Sequence, residues 1–403
     1  MLTDLYSIRF GFLHSGVLKS LNRWKRIALL LIIAMFVFQT PCMAEKPIKI
    51  GVSLGLTGRF AVMSDALNKG FRLWEQNVNN ENGILGRPVR VIVKDDQSDP
   101  ERAVSIYREL IKKEHVDLLF APYSSLITAA VLPVAEENDM PLLIAGAAAD
   151  SLWEKGYRNA IGIYTSASKF ALGFLELIVL NDLDRIAVVY ADDPFSIDLA
   201  ESAKKWAKRF GLNIVDFKKF KKGTLNLKPL ALKAKEKNSQ VLMVCGHMNE
   251  AVNMSKALKK IAWRPKAFYA SVGPALQGFY DRCGSDAESV FGTSLWEPRA
   301  NYPGAQKFNQ QFIETYRETP GYHAGLAYAA GQVLKKALGE AGSINKDKVR
   351  NALFHLDTMT IIGRFGVDKT GKQVRQHTFI IQWQNGRKEL VWPNQIKTAE
   401  PVF

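Results

Sequence analysis

Cysteine is scarce in this sequence, three residues in 403, and the scarcity excludes a good deal. No paired-cysteine spacing is present for zinc or an iron–sulfur cluster, and stability must come mainly from a packed core. Histidine is scarce too: the six are scattered, none at metal-ligand spacing from another. Glycines 51, 55 and 58 flank a strand end without making the dinucleotide fingerprint, and nothing resembles a Walker phosphate loop. No low-complexity tract interrupts the chain. The 12-residue run "IALLLIIAMFVF" at 27–38 falls short of the roughly 20 residues that an easy membrane span needs.

What is there is a globular composition, 47% hydrophobic and 23% charged, in a chain long enough for two ordinary domains. The apolar run at 27–38 follows a basic "RWKR" at 23–26 and precedes "QTPCMA". Basic region, apolar region and the small Ala44 together read as a secretory signal peptide over 1–44. A lipid anchor on Cys42 and a retained apolar anchor are the alternatives. Cleavage after Ala44 would export the protein, and an exported protein can hold a disulfide between Cys245 and Cys283.

Residues 1–44 carry five bases and one acid, so +11 of the +15 net charge belongs to the remainder. Eight lysines fall in "DFKKFKKGTLNLKPLALKAKEK" at 216–237. A nucleic-acid surface would interleave stacking aromatics with the bases; only Phe217 and Phe220 are present. No nucleic-acid partner is expected. The stretch reads as a solvated helix face beside an edge strand, or as a patch that meets a membrane surface or partner.

From residue 48 a pattern of strand, turn and helix of 12–18 residues repeats. "IKIGVS", "PVRVIVKDD", "VDLLFA" and "PLLIAGA" read as strands, with helices over 64–83 and 99–114 between the first three. The second helix has a legible start in Asp99, Pro100 and Glu101. Near 165 the plan restarts: a helix over 166–182, then strands "RIAVVYADD", "NIVDFKKF", "SQVLMVCG" and "KAFYASVG". Helices follow at 303–317, 322–340 and 346–355, and a hairpin turning at Asn385-Gly386 ends the chain. Such alternation implies parallel strands with helices on both faces. Asp95, Asp96 and Asp99 cluster at one strand end; they read as turn and cap residues more readily than as catalytic or metal-binding carboxylates.

"LLFAPYSSLIT" at 118–128 is a strand running into a helix, with Ser124 or Ser125 at the cap. The serine either only caps, or helps build an anion-favouring cleft wall.

Several stretches, taken in order, resemble the branched-chain amino-acid (leucine-binding) type of periplasmic substrate-binding protein. They are "IKIGVSLGLTGRFA", "VNNENGILGRPVRVIVKDDQSDPERAV", "APYSSLITAAVLPVAEENDMPLL", "RIAVVYADDPFSIDLAE" and "GRFGVDKTGKQV". The resemblance runs from about 48 to the end, and "AGAAADSLWE" and "GTSLWEP" are similar to a poorly characterised branch. It implies the type I periplasmic-binding fold: two doubly wound parallel-sheet α/β lobes joined by a three-crossing hinge. The N-terminal lobe would take 45–164 plus 295–361, the C-terminal lobe 165–294 plus 362–403. It implies a monomeric, non-enzymatic solute-binding component of an ATP-driven importer. That component would take up a small amino acid or related carboxylate or amide and deliver it to a membrane permease, without cofactor or metal. A periplasmic sensor passing occupancy to a membrane receptor is the alternative.

The same resemblance implies the site. Ser124 would meet the ligand carboxylate, with Tyr123 lining. Ala147 and Ala148 fall in a segment offering a carbonyl to an ammonium, and Ala149 stands where the family has a threonine. Phe60 and Phe195 match ligand-covering aromatics, and His247 falls where tyrosine is common. One departure stands out: where amino-acid binders place an acid after the strand matching "KAFYA", this sequence has Ser271 and Val272. Either Asp193, Glu250 or Asp150 replaces that acid, or the ligand lacks an α-ammonium.

Overall fold

A computed structural model describes residues 45–403; the expected signal peptide lies outside the described residues. β1 (Ile48–Leu54), β2 (Val89–Asp95), β3 (Leu118–Phe120), β4 (Leu142–Ile144) and β5 (Ala160–Gly162) form one sheet, in the order β2-β1-β3-β4-β5, every pair parallel. α1 (Ala61–Asn80), α2 (Pro100–Lys112) and α3 (Ser125–Glu137) are its crossovers. The central strands are buried on both faces, which is why they read as near-continuous apolar runs rather than alternating ones.

After α4 (Leu172–Leu180) the second sheet begins with β6 (Arg185–Ala191), α5 (Pro194–Arg209), β7 (Asn213–Phe220), α6 (Lys228–Glu236), β8 (Val241–Cys245), α7 (Met248–Lys260), β9 (Ala267–Ala270), α8 (Gln277–Cys283) and β10 (Val290–Ser294). The chain then adds α9 (Ala305–Tyr316), α10 (Tyr322–Ala341) and α11 (Lys346–His355). A small ribbon follows, β11 (Thr358–Thr360) with β12 (Gly363–Phe365), and then the hairpin β13 (Phe379–Gln384) and β14 (Arg387–Trp392). The second sheet runs β14-β13-β10-β9-β8-β6-β7. Its core is parallel, and the terminal hairpin adds antiparallel to β10. Asn385 and Gly386, at φ 52° and 72°, make the turn that matches right-handed strand twist.

α10 packs along α1 through small residues. A Cβ on Gly70 would lie 2.2 Å from the Ala324 carbonyl oxygen, and one on Gly331 would lie 2.1 Å from the Trp74 ring. Glycine lets the two helices approach this closely, and Trp74 fills the groove that Gly331 leaves.

The helix expected over 166–182 is broken. Ser168 donates its N–H and its hydroxyl to Asp150, at 2.8 Å each, and this pulls the first turn aside, so that α4 starts at Leu172. β5, β10 and the β11–β12 ribbon lie outside the strands legible in the sequence. Cys245 is buried in β8 and Cys283 half-buried at the end of α8; both are free thiols. Among the described residues no helix is long and apolar enough to cross a membrane.

Candidate functional site

The carboxyl ends of the two sheets face each other, where open α/β sheets bind ligands. Between them is a narrow cleft with about 290 Å³ of atom-free space, part of it open to solvent. From the first sheet come Tyr123, Ser124 and Ser125 after β3, Gly146, Ala147 and Ala148 after β4, and Tyr164 after β5. From the second come Phe195 at the start of α5, His247 after β8 and Val272 after β9. Phe170, Leu295, Tyr322 and His323 complete the wall. The lining contains no aspartate, glutamate, lysine or arginine.

Of the nine residues singled out in the sequence, seven line the cavity. Phe60 stands just behind the wall, its ring 5.2 Å from that of Tyr123 and 5.5 Å from that of His247. Ala149 is fully buried outside the lining, its N–H donated to Ser125 Oγ at 3.0 Å. The residues after β3 divide the serine work. Ser124 caps α3, its hydroxyl accepting from Ile127 N at 3.4 Å, and it holds φ at 83°, a region that disfavours side chains. Ser125 ties the 147–149 loop to the helix through the N–H groups of Ala148 and Ala149. Tyr322 and His323 open α10, and nothing in their local sequence marked them; the signal was tertiary, the packing of α10 on α1.

Four helices begin at this cavity: α3 at Ser125, α5 beside Phe195, α7 after its cap His247, and α10 at Tyr322. Each presents the positive end of its dipole. The cap of α10, Gly321, offers no side chain to its first turn. His323 is fully buried, and its Nδ1 has no hydrogen-bond partner. Burial, then the nearby His247, pull the His323 pKa down to about 3, so the ring is neutral.

The three acids that were candidates for an ammonium partner are each committed elsewhere. Asp193 caps α5 through Ser196 N and Oγ. It stands 3.1 Å from Lys222 Nζ and 3.5 Å from His247 Nε2. Burial alone would raise its pKa, but the His247 ring, the Lys222 ammonium and the Ser196 hydroxyl outweigh that and hold it well below the usual range. Glu250 accepts from His247 N at 3.0 Å. Asp150 pairs with Lys372 Nζ at 3.0 Å, which depresses its pKa against the opposing pull of burial. Ser271, at the position of the missing acid, exchanges hydrogen bonds with the Gly246 N–H and carbonyl. Across the cavity, Tyr123 Oη meets His247 Nδ1 at 3.3 Å, joining the strand ends of the two sheets.

Asp95, Asp96 and Asp99 do turn and cap work. Asp95 takes Thr57 and Gln97, Asp96 takes Ser53 Oγ and Ser98 N, and Asp99 caps α2. Ser53 stands in "GVSLG", which spells the hydrolase Gly-x-Ser-x-Gly, but it lies fully buried within β1 rather than at an exposed elbow. Asp96 supports the Phe60 loop through Ser98, whose hydroxyl accepts from Phe60 N at 3.1 Å. Burial, opposed by the Ser53 and Ser98 hydrogen bonds, pushes its pKa up to about 6. Against an unfolded value of about 3.9, the native state holds that proton more tightly. Stability should therefore fall as pH rises from about 4 to about 6, by on the order of 2–3 kcal/mol. Urea titrations of wild type and Asp96→Asn across that window check this; the difference curve should carry that slope and level off above pH about 7.

Two α/β sheets meeting strand-end to strand-end around a shared cleft define a solute-binding protein of the type I periplasmic-binding fold. The chain belongs to the periplasmic binding protein family, whose profile matches residues 47–388; the family and fold are those of solute-binding proteins rather than enzymes. Leu/Ile/Val-binding protein homolog 7 of Brucella suis biovar 1 is 25% identical over 396 residues, 93% of this chain and 98% of the relative. Among solved structures, the substrate-binding protein of a branched-chain amino acid transporter from Streptococcus pneumoniae, in complex with isoleucine, superposes with a TM-score of 0.79 at 22% identity. It covers 86% of this chain and 100% of that one. A solute-binding protein of an R. palustris ABC transporter, in complex with benzoate, gives 0.77 at 16% identity, covering 88% and 97%. Membership of this family implies a periplasmic location.

Proposed function

We propose that this protein is the solute-binding component of an ATP-driven importer for a small carboxylate without an α-ammonium, an aromatic acid of the benzoate kind above all. The observation that carries this is the sign of the cavity: four helix N-termini open on it, and no carboxylate lines it. A buried ammonium left without an anionic partner costs several kcal/mol, whereas a carboxylate at helix N-termini is favoured. Tyr123, Phe195, Tyr164 and Tyr322 give the walls aromatic faces for a ring. In this reading Ser124 and the first N–H groups of α3 meet the carboxylate, and His323 Nδ1 supplies a further polar contact. Phe195 and His247 cover the ligand with Phe60 backing them, Ala147 and Ala148 leave it room, Ala149 sets the loop behind, and Val272 packs against it. The lobes comprise 45–164 plus 295–361 and 165–294 plus 362–403. They close about the hinge, and the closed form delivers its ligand to a membrane permease; the protein acts as a monomer.

The test is a thermal-shift screen of ligand-stripped protein. Benzoate and hydroxybenzoates at about 100 times their dissociation constant should stabilise the native state by about 2.7 kcal/mol. Leucine and isoleucine should give no shift. A shift with leucine and none with any carboxylate that lacks an α-ammonium would overturn the assignment.

A further inference from the structure

The excess positive charge of this protein is concentrated in one place. Residues 204–237 hold twelve lysines and arginines against two acids, a net +10, leaving +1 for all the rest of 45–403. Eleven of the twelve are exposed; Lys222 alone is drawn inward, to Asp193. β7 is the outer strand of the second sheet, with its far edge unpaired. α5 leads into it and α6 out of it, so their bases flank that edge. Lys204, Lys205, Lys208 and Arg209 come from α5, Lys218 and Lys219 from β7, and Lys228, Lys233 and Lys235 from α6. The connection between β7 and α6 carries Lys221 and Leu225, the latter 81% exposed, the most exposed large apolar side chain among the described residues.

Guarding a bare sheet edge against pairing requires lysines on the edge strand itself. Lys218 and Lys219 do that. It does not require the bases of the two flanking helices, nor an exposed leucine in the connection after the strand. A long basic strip beside an exposed aliphatic side chain is instead the pattern that a lipid surface selects. The bases meet anionic headgroups, and the apolar side chain enters the boundary beneath them. We propose that the β7 edge, with α5, α6 and the connection carrying Leu225, is a docking face for an anionic phospholipid bilayer. It would hold the protein at the membrane through many weak, salt-screened contacts. None of these bases is among the residues that line the cavity.

The test is co-sedimentation with vesicles, using the protein purified as the cell processes it. Vesicles of about equal phosphatidylglycerol and phosphatidylcholine should bind it at about 50 mM salt and release it at about 300 mM. Vesicles of phosphatidylcholine alone should not bind it. Lys218→Glu/Lys219→Glu/Lys233→Glu/Lys235→Glu should weaken binding at least tenfold. Lys112→Glu/Lys113→Glu/Lys336→Glu/Lys369→Glu, which changes net charge equally on other surfaces, should weaken it by about twofold at most, since attraction falls off within a Debye length. Leu225→Ser should weaken it about threefold, the size expected for losing part of one aliphatic contact. Three results would overturn the docking face: no binding to the anionic vesicles, equal losses in the two charge-reversal variants, or binding to phosphatidylcholine that the reversal leaves intact. An unchanged affinity in Leu225→Ser would remove the insertion of that side chain.

Discussion

Asp193→Asn should lower the stability of the unliganded protein by about 3–5 kcal/mol, near 5 °C in melting temperature for a chain of this size. The carboxylate is 3% exposed and Lys222 is half-buried, with only 10% of its side chain accessible. Removing the acid leaves that ammonium with nothing to offset its desolvation. Nor has Lys222 Nζ any well-formed hydrogen bond to fall back on; its other neighbour is the Phe60 ring, 5.1 Å away. Asparagine keeps the size and can still cap α5, so the loss measures the charge. Lys222→Met in the same background should restore much of it, because the double variant has no orphaned charge. Losses that simply added would mean that Asp193 and Lys222 act separately. The pH dependence follows from the depressed pKa. Its contribution is present above the unfolded value of about 3.9 and lost as pH falls below it. Wild type and Asp193→Asn should therefore converge in stability on acidification.

This cluster also marks where the sequence stopped being legible. Asp193 reads locally as a helix cap ahead of Pro194, and it is one. That it also holds Lys222, from the end of the next strand, and His247, from the strand after, depends on β6, β7 and β8 ending side by side. No local pattern reports that. The strand–helix alternation was legible because buried parallel strands are apolar throughout and the helices between them carry clear caps, as at Asp99. The strands that escaped notice, β5 and β10, are short and rich in glycine and small residues, and their apolar runs are brief. In the cavity, residues at strand ends could be read from their position in the chain. Tyr322 and His323 could not, since they reach the site only because Gly70 and Gly331 let α10 lie close along α1. The meaning of Ser271 depended on the same distinction: its sequence position showed that an acid was missing, but only the fold shows that Asp193, Glu250 and Asp150 are all occupied elsewhere.

That absence leads to the sharpest expected effect on binding. Val272 lines the cavity beside Ser271, 4% exposed, at the strand end where amino-acid binders of this type carry their acid. Val272→Asp would place a carboxylate on a wall that has none. Against an aromatic carboxylate, the like charges and the unpaired buried acid should reduce affinity at least a hundredfold, equivalent to about 2.7 kcal/mol. Val272→Asn has nearly the same volume and polarity without the charge, and should lose about tenfold. The tenfold or greater gap between the two variants isolates electrostatics from shape. It should narrow as the pH approaches the pKa of the introduced acid, which burial will raise. Calorimetric titration of both variants with benzoate, at pH about 5 and about 8, reads all of this directly. Equal losses in the two variants would mean that packing, not the sign of the cavity, governs the site. A gain of affinity for leucine in Val272→Asp alone would indicate that one missing carboxylate separates this cavity from an amino-acid site. It would also locate the discrimination at the end of β9.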